Sequence, residues 1–151
     1  MKRSEHSTRK YRSMGLDVGT KTIGIALSDP LGMFAQPDRT LSRKGVAKDV
    51  AVICLRIQEQ DVQAVVVGLP FELDGTESRS ARLARQIGEA VRVSAQVPVI
   101  YVDERYSSVQ AERSLIFQGA SRDRRKKVID QAAAAIILQS WLDHGDDVAE
   151  D

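Results

Sequence analysis

Three carboxylates stand at the ends of elements rather than on solvent faces. Asp17 lies inside Gly15-Leu16-Asp17-Val18-Gly19, Glu104 closes the run Val-Ile-Tyr-Val-Asp-Glu at 99–104, and Asp130 comes just before four alanines at 132–135. An acid at the core end of a strand costs free energy unless something pairs with it. Two such acids on neighbouring strands also repel each other. A divalent cation removes both costs. Magnesium takes oxygen ligands and keeps several waters, which leaves positions for phosphate oxygens. Two such ions can activate a water and stabilise the leaving oxygen of an in-line displacement. Each acid also has a simpler reading. Asp17 can form a turn before Gly19, Glu104 can pair with Arg105 or Arg113, and Asp130 can favour a helix N-terminus. Spacing alone does not show that the three converge. Taken by themselves, these patterns reach a soluble α/β domain, with metal binding as one of its readings.

Other chemistries are narrowed by composition. Cys54 is the one cysteine, so an intrachain disulfide and a cysteine-based zinc site are excluded. His6 and His144 lie near opposite ends, which disfavours a histidine metal site or a Ser-His-Asp triad. The net charge of +1 conceals an asymmetry: residues 1–12 hold five Lys/Arg and one Glu, whereas residues 143–151 hold five acids and no Lys/Arg. A global basic field for nucleic acid is therefore absent, and binding has to use local patches. The strongest is Arg122-Asp123-Arg124-Arg125-Lys126-Lys127. No apolar run approaches the ~20 residues that span a bilayer. The basic start is not followed by the apolar stretch of a secretory signal. A cytoplasmic protein is the expectation.

These side chains must be positioned by one domain, since 151 residues suit a single core. Apolar runs at 14–18 and 22–28, separated by Gly19-Thr20-Lys21, predict a strand pair. Pro30, Gly32 and Pro37 predict a loop, with a short strand near 39–41. Val46, Val50, Ile53, Cys54 and Ile57 recur at helical spacing over 46–59. The β-branched run at 64–68 predicts a strand buried on both faces. A turn-rich loop over 72–78, a helix over 79–92 and the strand at 99–104 follow. Ser107 and Gln110 fit a capping box for a helix reaching about Gln118, closed by Gly119. A basic loop then leads to a final helix over 128–142. The opening strands should be antiparallel and the later ones, alternating with helices, parallel. The fold class is α/β, a mixed sheet flanked by helices.

Four segments together carry a family resemblance. GLDVGTKTIGIALSDPLGMFAQP (15–37), VVVGLPFELDGTES (65–78), VDERYSSVQAERSL (102–115) and RRKKVIDQAAAAIILQSWLD (124–143) resemble, in order and approximate spacing, the blocks of the YqgF family. That family is described as Holliday-junction-resolvase-like and as pre-16S rRNA nucleases. The resemblance implies a ribonuclease-H-like fold over about residues 13–143, with a basic tail at 1–12 and an acidic one at 144–151. It implies a metal-dependent nuclease whose catalytic and metal-ligating acids are Asp17, Glu104 and Asp130, with Mg²⁺ or Mn²⁺ as cofactor. It extends more weakly to nucleic-acid contacts by Lys21, Ser108, Arg124, Arg125, Lys126 and Lys127. For Lys21 and for the basic run, a solvated surface remains an alternative. Ser107 and Ser108 stand where the family often has threonine, so the hydroxyls persist. Related junction resolvases commonly carry a fourth acid on the last helix. Here Asp130 is followed by Gln131 and alanines, which leaves the number of metal ions open.

Nucleic acid is the implied partner, either a 16S rRNA precursor or branched DNA. The first of these is favoured, because junction resolution normally needs a symmetric dimer and the sequence identifies no dimer face. Two other function classes compete. Asp17-Val18-Gly19-Thr20-Lys21 also resembles the first phosphate loop of sugar kinases and actin-like ATPases, but those proteins close two such domains around a nucleotide. A non-catalytic RNA-binding assembly factor would retain the fold without turnover. An aromatic content of 5% offers few stacking platforms and favours backbone recognition over base readout.

Overall fold

The first strand, β1 (Arg12–Val18), alternates strictly. Met14, Leu16 and Val18 go to one face of the sheet, and Ser13, Gly15 and Asp17 to the other. A computed structural model of the chain describes residues 11–70, 77–104 and 122–144, with side chains in the last segment from 132 onward. The remaining strands are β2 (Thr22–Ser28), β3 (Ala35–Ser42), β4 (Val62–Leu69) and β5 (Val99–Asp103). The helices are α1 (Val46–Glu59), α2 (Arg79–Ala95) and α3 (Arg122–His144). The sheet order is β3-β2-β1-β4-β5. β1 pairs antiparallel with β2 and β2 with β3, while β1, β4 and β5 run parallel, as the strand-helix alternation predicts.

Two apolar layers enclose the sheet. On one side Leu16, Ile25, Val65 and Val67 pack against Ile53 and Ile57 of α1 and Ile87 and Val91 of α2. On the other, Ala26, Ala64, Val66 and Val102 meet Ala133, Ala134, Ile137, Leu138 and Trp141 of α3. Val65, Val66 and Val67 are fully buried, which accounts for a central strand without polar alternation.

Several boundaries differ from the sequence reading. β1 begins at Arg12, a residue assigned on sequence to the basic tail; its guanidinium donates to the Ser28 carbonyl at 2.9 Å. β3 begins at Ala35 and runs through Pro37. A proline is tolerated there because β3 is an edge strand and its partner β2 shifts register between Ile25 and Ala26. α3 begins at Arg122, so the expected basic loop at 122–127 is helical backbone. Lys and Arg are good helix formers, and neither glycine nor proline interrupts 122–144. The helix expected over 107–118 lies outside the described residues.

Candidate active site

Asp17 sits one residue from the end of β1, half-buried, on the α3 face of the sheet. Its cross-strand partner on β2 is Gly24. On the other side, Leu16 pairs with Val67, so continuing the parallel register by one residue brings Asp17 beside Gly68. Both neighbours of the carboxylate therefore lack a side chain. Glu104 follows β5 directly and is 9% exposed. Val102, two residues earlier, is buried against α3, and the alternation carries Glu104 to the same face. Its Oε2 lies 3.1 Å from where a Cβ on Gly68 would stand. The carboxylate thus bends back over β4 toward β1. That shortens a gap of about 10 Å, two strand spacings, to about one.

α3 covers this corner closely. A Cβ on Gly15 would meet the Ala134 carbonyl oxygen at 2.7 Å and Leu138 Cβ at 2.8 Å, and one on Gly68 would meet Ile137 Cδ1 at 2.5 Å. Gln139 binds the Ala35 amide and the Met33 carbonyl, so the C-terminal half of α3 points to the start of β1. Its N-terminal half points to the end that carries Asp17. Residue 130 lies in α3 one helical turn before Ala134, toward that end. The side chain of Asp130 lies outside the described residues, as do those of Arg124, Arg125, Lys126 and Lys127, and so does Ser108. The described residues alone bring no three carboxylate, histidine or cysteine side chains together. They do bring two of the three predicted acids to one face.

The β1–β2 turn forms the rim of the site. Gly19 N donates to the Thr22 carbonyl at 2.8 Å, and Thr20 and Lys21 are exposed. Arg43, which sequence reasoning did not single out, holds this turn from behind. Its Nη1 donates to the Gly19 carbonyl at 3.2 Å, its backbone N–H to the Lys21 carbonyl at 2.9 Å, and its Nε to Asp49 at 2.8 Å. Asp49 is 2% exposed, in the first turn of α1. Burial raises its pKa, but hydrogen bonds from the Lys44 amide and Arg43, with the guanidinium charge, more than offset this and hold it below the usual value. The signal in the sequence was an arginine six residues before an acid in a helix's first turn, a pattern too common to select.

The family model RuvX, described as Holliday junction resolvase, matches residues 11–144. The chain belongs to the RuvX family. A Myxococcus xanthus protein named "Putative pre-16S rRNA nuclease" is 46% identical to this RuvX-family chain over 132 residues, covering 87% of each chain. A Syntrophomonas wolfei protein of the same name is 45% identical over 134 residues, covering 89% of this chain and 95% of its own. In three dimensions the chain resembles Thermus thermophilus RuvC, solved with a Holliday junction substrate. The TM-score is 0.62 at 13% identity, over 92% of this chain and 98% of that one. The fold is ribonuclease-H-like, as the sequence resemblance implies. Among the described residues, no helix is long and apolar enough to cross a membrane.

Proposed function

We propose that the chain is a metal-dependent endonuclease that hydrolyses nucleic-acid phosphodiesters, with the 5′ end of a 16S rRNA precursor as its substrate. The observation that carries this reading is the convergence of Asp17 and Glu104 over side-chain-free Gly68, on the face covered by α3. The donor set fits a hard cation. Both acids supply oxygen ligands, and Gly68, without a side chain, lets the Glu104 carboxylate reach across β4 toward Asp17. Asp17, Glu104 and Asp130 would hold Mg²⁺ or Mn²⁺. When bound, the ion supplies Lewis-acid polarisation of the scissile phosphate and a nucleophilic water at neutral pH. Asp17, fixed in a strand, sets the position of the reacting phosphate. Glu104, buried but for its edge, keeps one side of the site shut to bulk water. Lys21 on the exposed turn supplies a positive charge to the nucleic-acid backbone, and residues 124–127 add charge along the first turns of α3. The rRNA assignment is supported by the names of relatives at 45–46% identity, and a four-way DNA junction is the competing substrate that the family description favours.

The test is cleavage of a labelled 16S precursor fragment, a four-way DNA junction and plain single-stranded RNA, with Mg²⁺, Mn²⁺ or EDTA, by wild type and Asp17→Asn. Metal-dependent cutting of the precursor, lost in an Asp17→Asn protein that unfolds at the wild-type temperature, is the expected result. Wild-type activity in Asp17→Asn removes the site assignment. Tight binding without cutting any substrate replaces the nuclease with an assembly factor.

A further inference from the structure

Arg43 makes contacts that a surface ion pair does not need. Its side chain is 11% exposed and its partner Asp49 2%. The partner is itself fixed, because its second oxygen accepts from the Lys44 amide at 2.9 Å. A guanidinium held in this way has one orientation. The remaining arm and the Arg43 amide bind the carbonyls of Gly19 and Lys21. Together they hold both ends of the three-residue turn that begins two residues after Asp17. α1 does not need Arg43 to start, since Asp49 N bonds to the Gly45 carbonyl at 2.9 Å and Asp49 already caps the Lys44 amide. What the guanidinium adds is a link from a buried carboxylate to the rim of the site.

We propose that Arg43 is a positioning residue: its fork, locked on Asp49, fixes the Gly19–Lys21 turn so that Lys21 meets a phosphate of the nucleic-acid backbone beside Asp17. This rests on the nuclease reading of the same site. Lysine at 43 keeps a charge opposite Asp49, but a single ammonium does not reproduce the two-directional fork. Arg43→Lys should therefore fold while loosening the turn.

The test is a double-mutant cycle of Arg43→Lys and Lys21→Ala, read as the affinity of labelled single-stranded RNA and of a four-way DNA junction in EDTA. Wild-type cleavage with Mg²⁺ and denaturant unfolding run alongside. Arg43→Lys should weaken binding about tenfold when Lys21 is present and less than about twofold when it is alanine, because coupled residues lose their effects jointly. The salt slope should fall by the same amount in either single mutant. Equal losses in both backgrounds would make Arg43 a general stabiliser and overturn the proposal, as would wild-type binding in Arg43→Lys or the absence of any nucleic-acid binding. Failure of wild type to cut, with the coupling intact, would overturn the nuclease reading and leave the positioning role standing.

Discussion

Gly15→Ala tests how closely the last helix must approach the first strand. The new Cβ would stand 2.7 Å from the Ala134 carbonyl oxygen and 2.8 Å from Leu138 Cβ. Neither atom can move away by a rotamer change, since one is backbone and the other is the first side-chain atom. Restoring ordinary contact distances requires α3 to retreat by at least about 0.7 Å, given a close-packed interior with optimal carbon separations near 3.5–4.0 Å. Overpacking of this kind costs ~1–3 kcal/mol, which a domain of ~5–15 kcal/mol total stability survives. The folded variant carries residue 130 on a displaced helix. A misplacement of ~1 Å can cost ~10²-fold in rate, so a retreat of about 0.7 Å should lower the cleavage rate by about tenfold or more. Urea unfolding gives the stability, and single-turnover cleavage at saturating precursor removes binding from the comparison. Gly68→Ala is the internal contrast. Its 2.5 Å clash is with Ile137 Cδ1, and Ile137→Val deletes that atom, so the double variant should regain part of the lost stability. Leu138→Ala should not rescue Gly15→Ala, because Ala134 and the Cβ at 138 both remain. A Gly15→Ala protein within ~0.5 kcal/mol of wild type and cutting at the wild-type rate would refute the argument, and rescue by Leu138→Ala would place the obstruction elsewhere.

Two further outcomes can be measured. Neutralising Arg124, Arg125, Lys126 and Lys127 together should weaken nucleic-acid binding and flatten its dependence on log salt by up to ~3 for a single strand, at ~0.7 per phosphate contact; an unchanged slope would reassign the run as a solvated helix face. Asp49→Asn should cost ~3 kcal/mol at neutral pH by leaving the Arg43 charge unpaired. The folded pKa of Asp49 lies below its ordinary 3.8, so this contribution is complete above that value and fades as pH falls through the lowered one. The gap between Asp49→Asn and wild type should therefore narrow as pH falls below 3.8, and a gap that does not change with pH over the acid range would show that the carboxylate charge is not its source.

Local pattern was sufficient for some elements and misleading for others. β2 and α1 have the bounds that their spacing predicts, 22–28 and 46–59, because each is a single uninterrupted period. β3 was underestimated because Pro37 reads as a breaker, and only the sheet order shows that it lies on an edge. The charge of the run at 122–127 suggests a loop, although its residues favour the helix that forms there. For the site, an apolar run ending in an acid was enough to select Asp17 and Glu104. Their convergence was not legible, because it depends on the register of β4 between them and on a glycine at the crossing point. Arg43 was invisible for a related reason: its partners are a buried helix acid and two carbonyls of a turn some twenty residues earlier.

Gly15 and Gly68 are costly in isolation, since glycine inside regular structure loses ~0.5–1 kcal/mol relative to alanine. Neither has a positive φ; among the described glycines only Gly32 and Gly45 do. Backbone freedom is therefore not what these positions use. Each removes volume beneath α3: Gly15 under Ala134 and Leu138, and Gly68 under Ile137 and the Glu104 carboxylate. The buried alanines at 133 and 134 do the same from the helix side. Small residues on both surfaces bring the helix that carries residue 130 down onto the strand that carries Asp17. The strands give up local preference at two positions, while alanine, the best helix former, costs the helix none; a preference given up at the sheet is the pattern expected where a site, rather than stability, sets the spacing. The same reasoning explains why the alanine run, bland as a motif, lies beside an acid. With larger side chains at 133 and 134, the helix would stand off the sheet and residue 130 would be carried away from the end of β1.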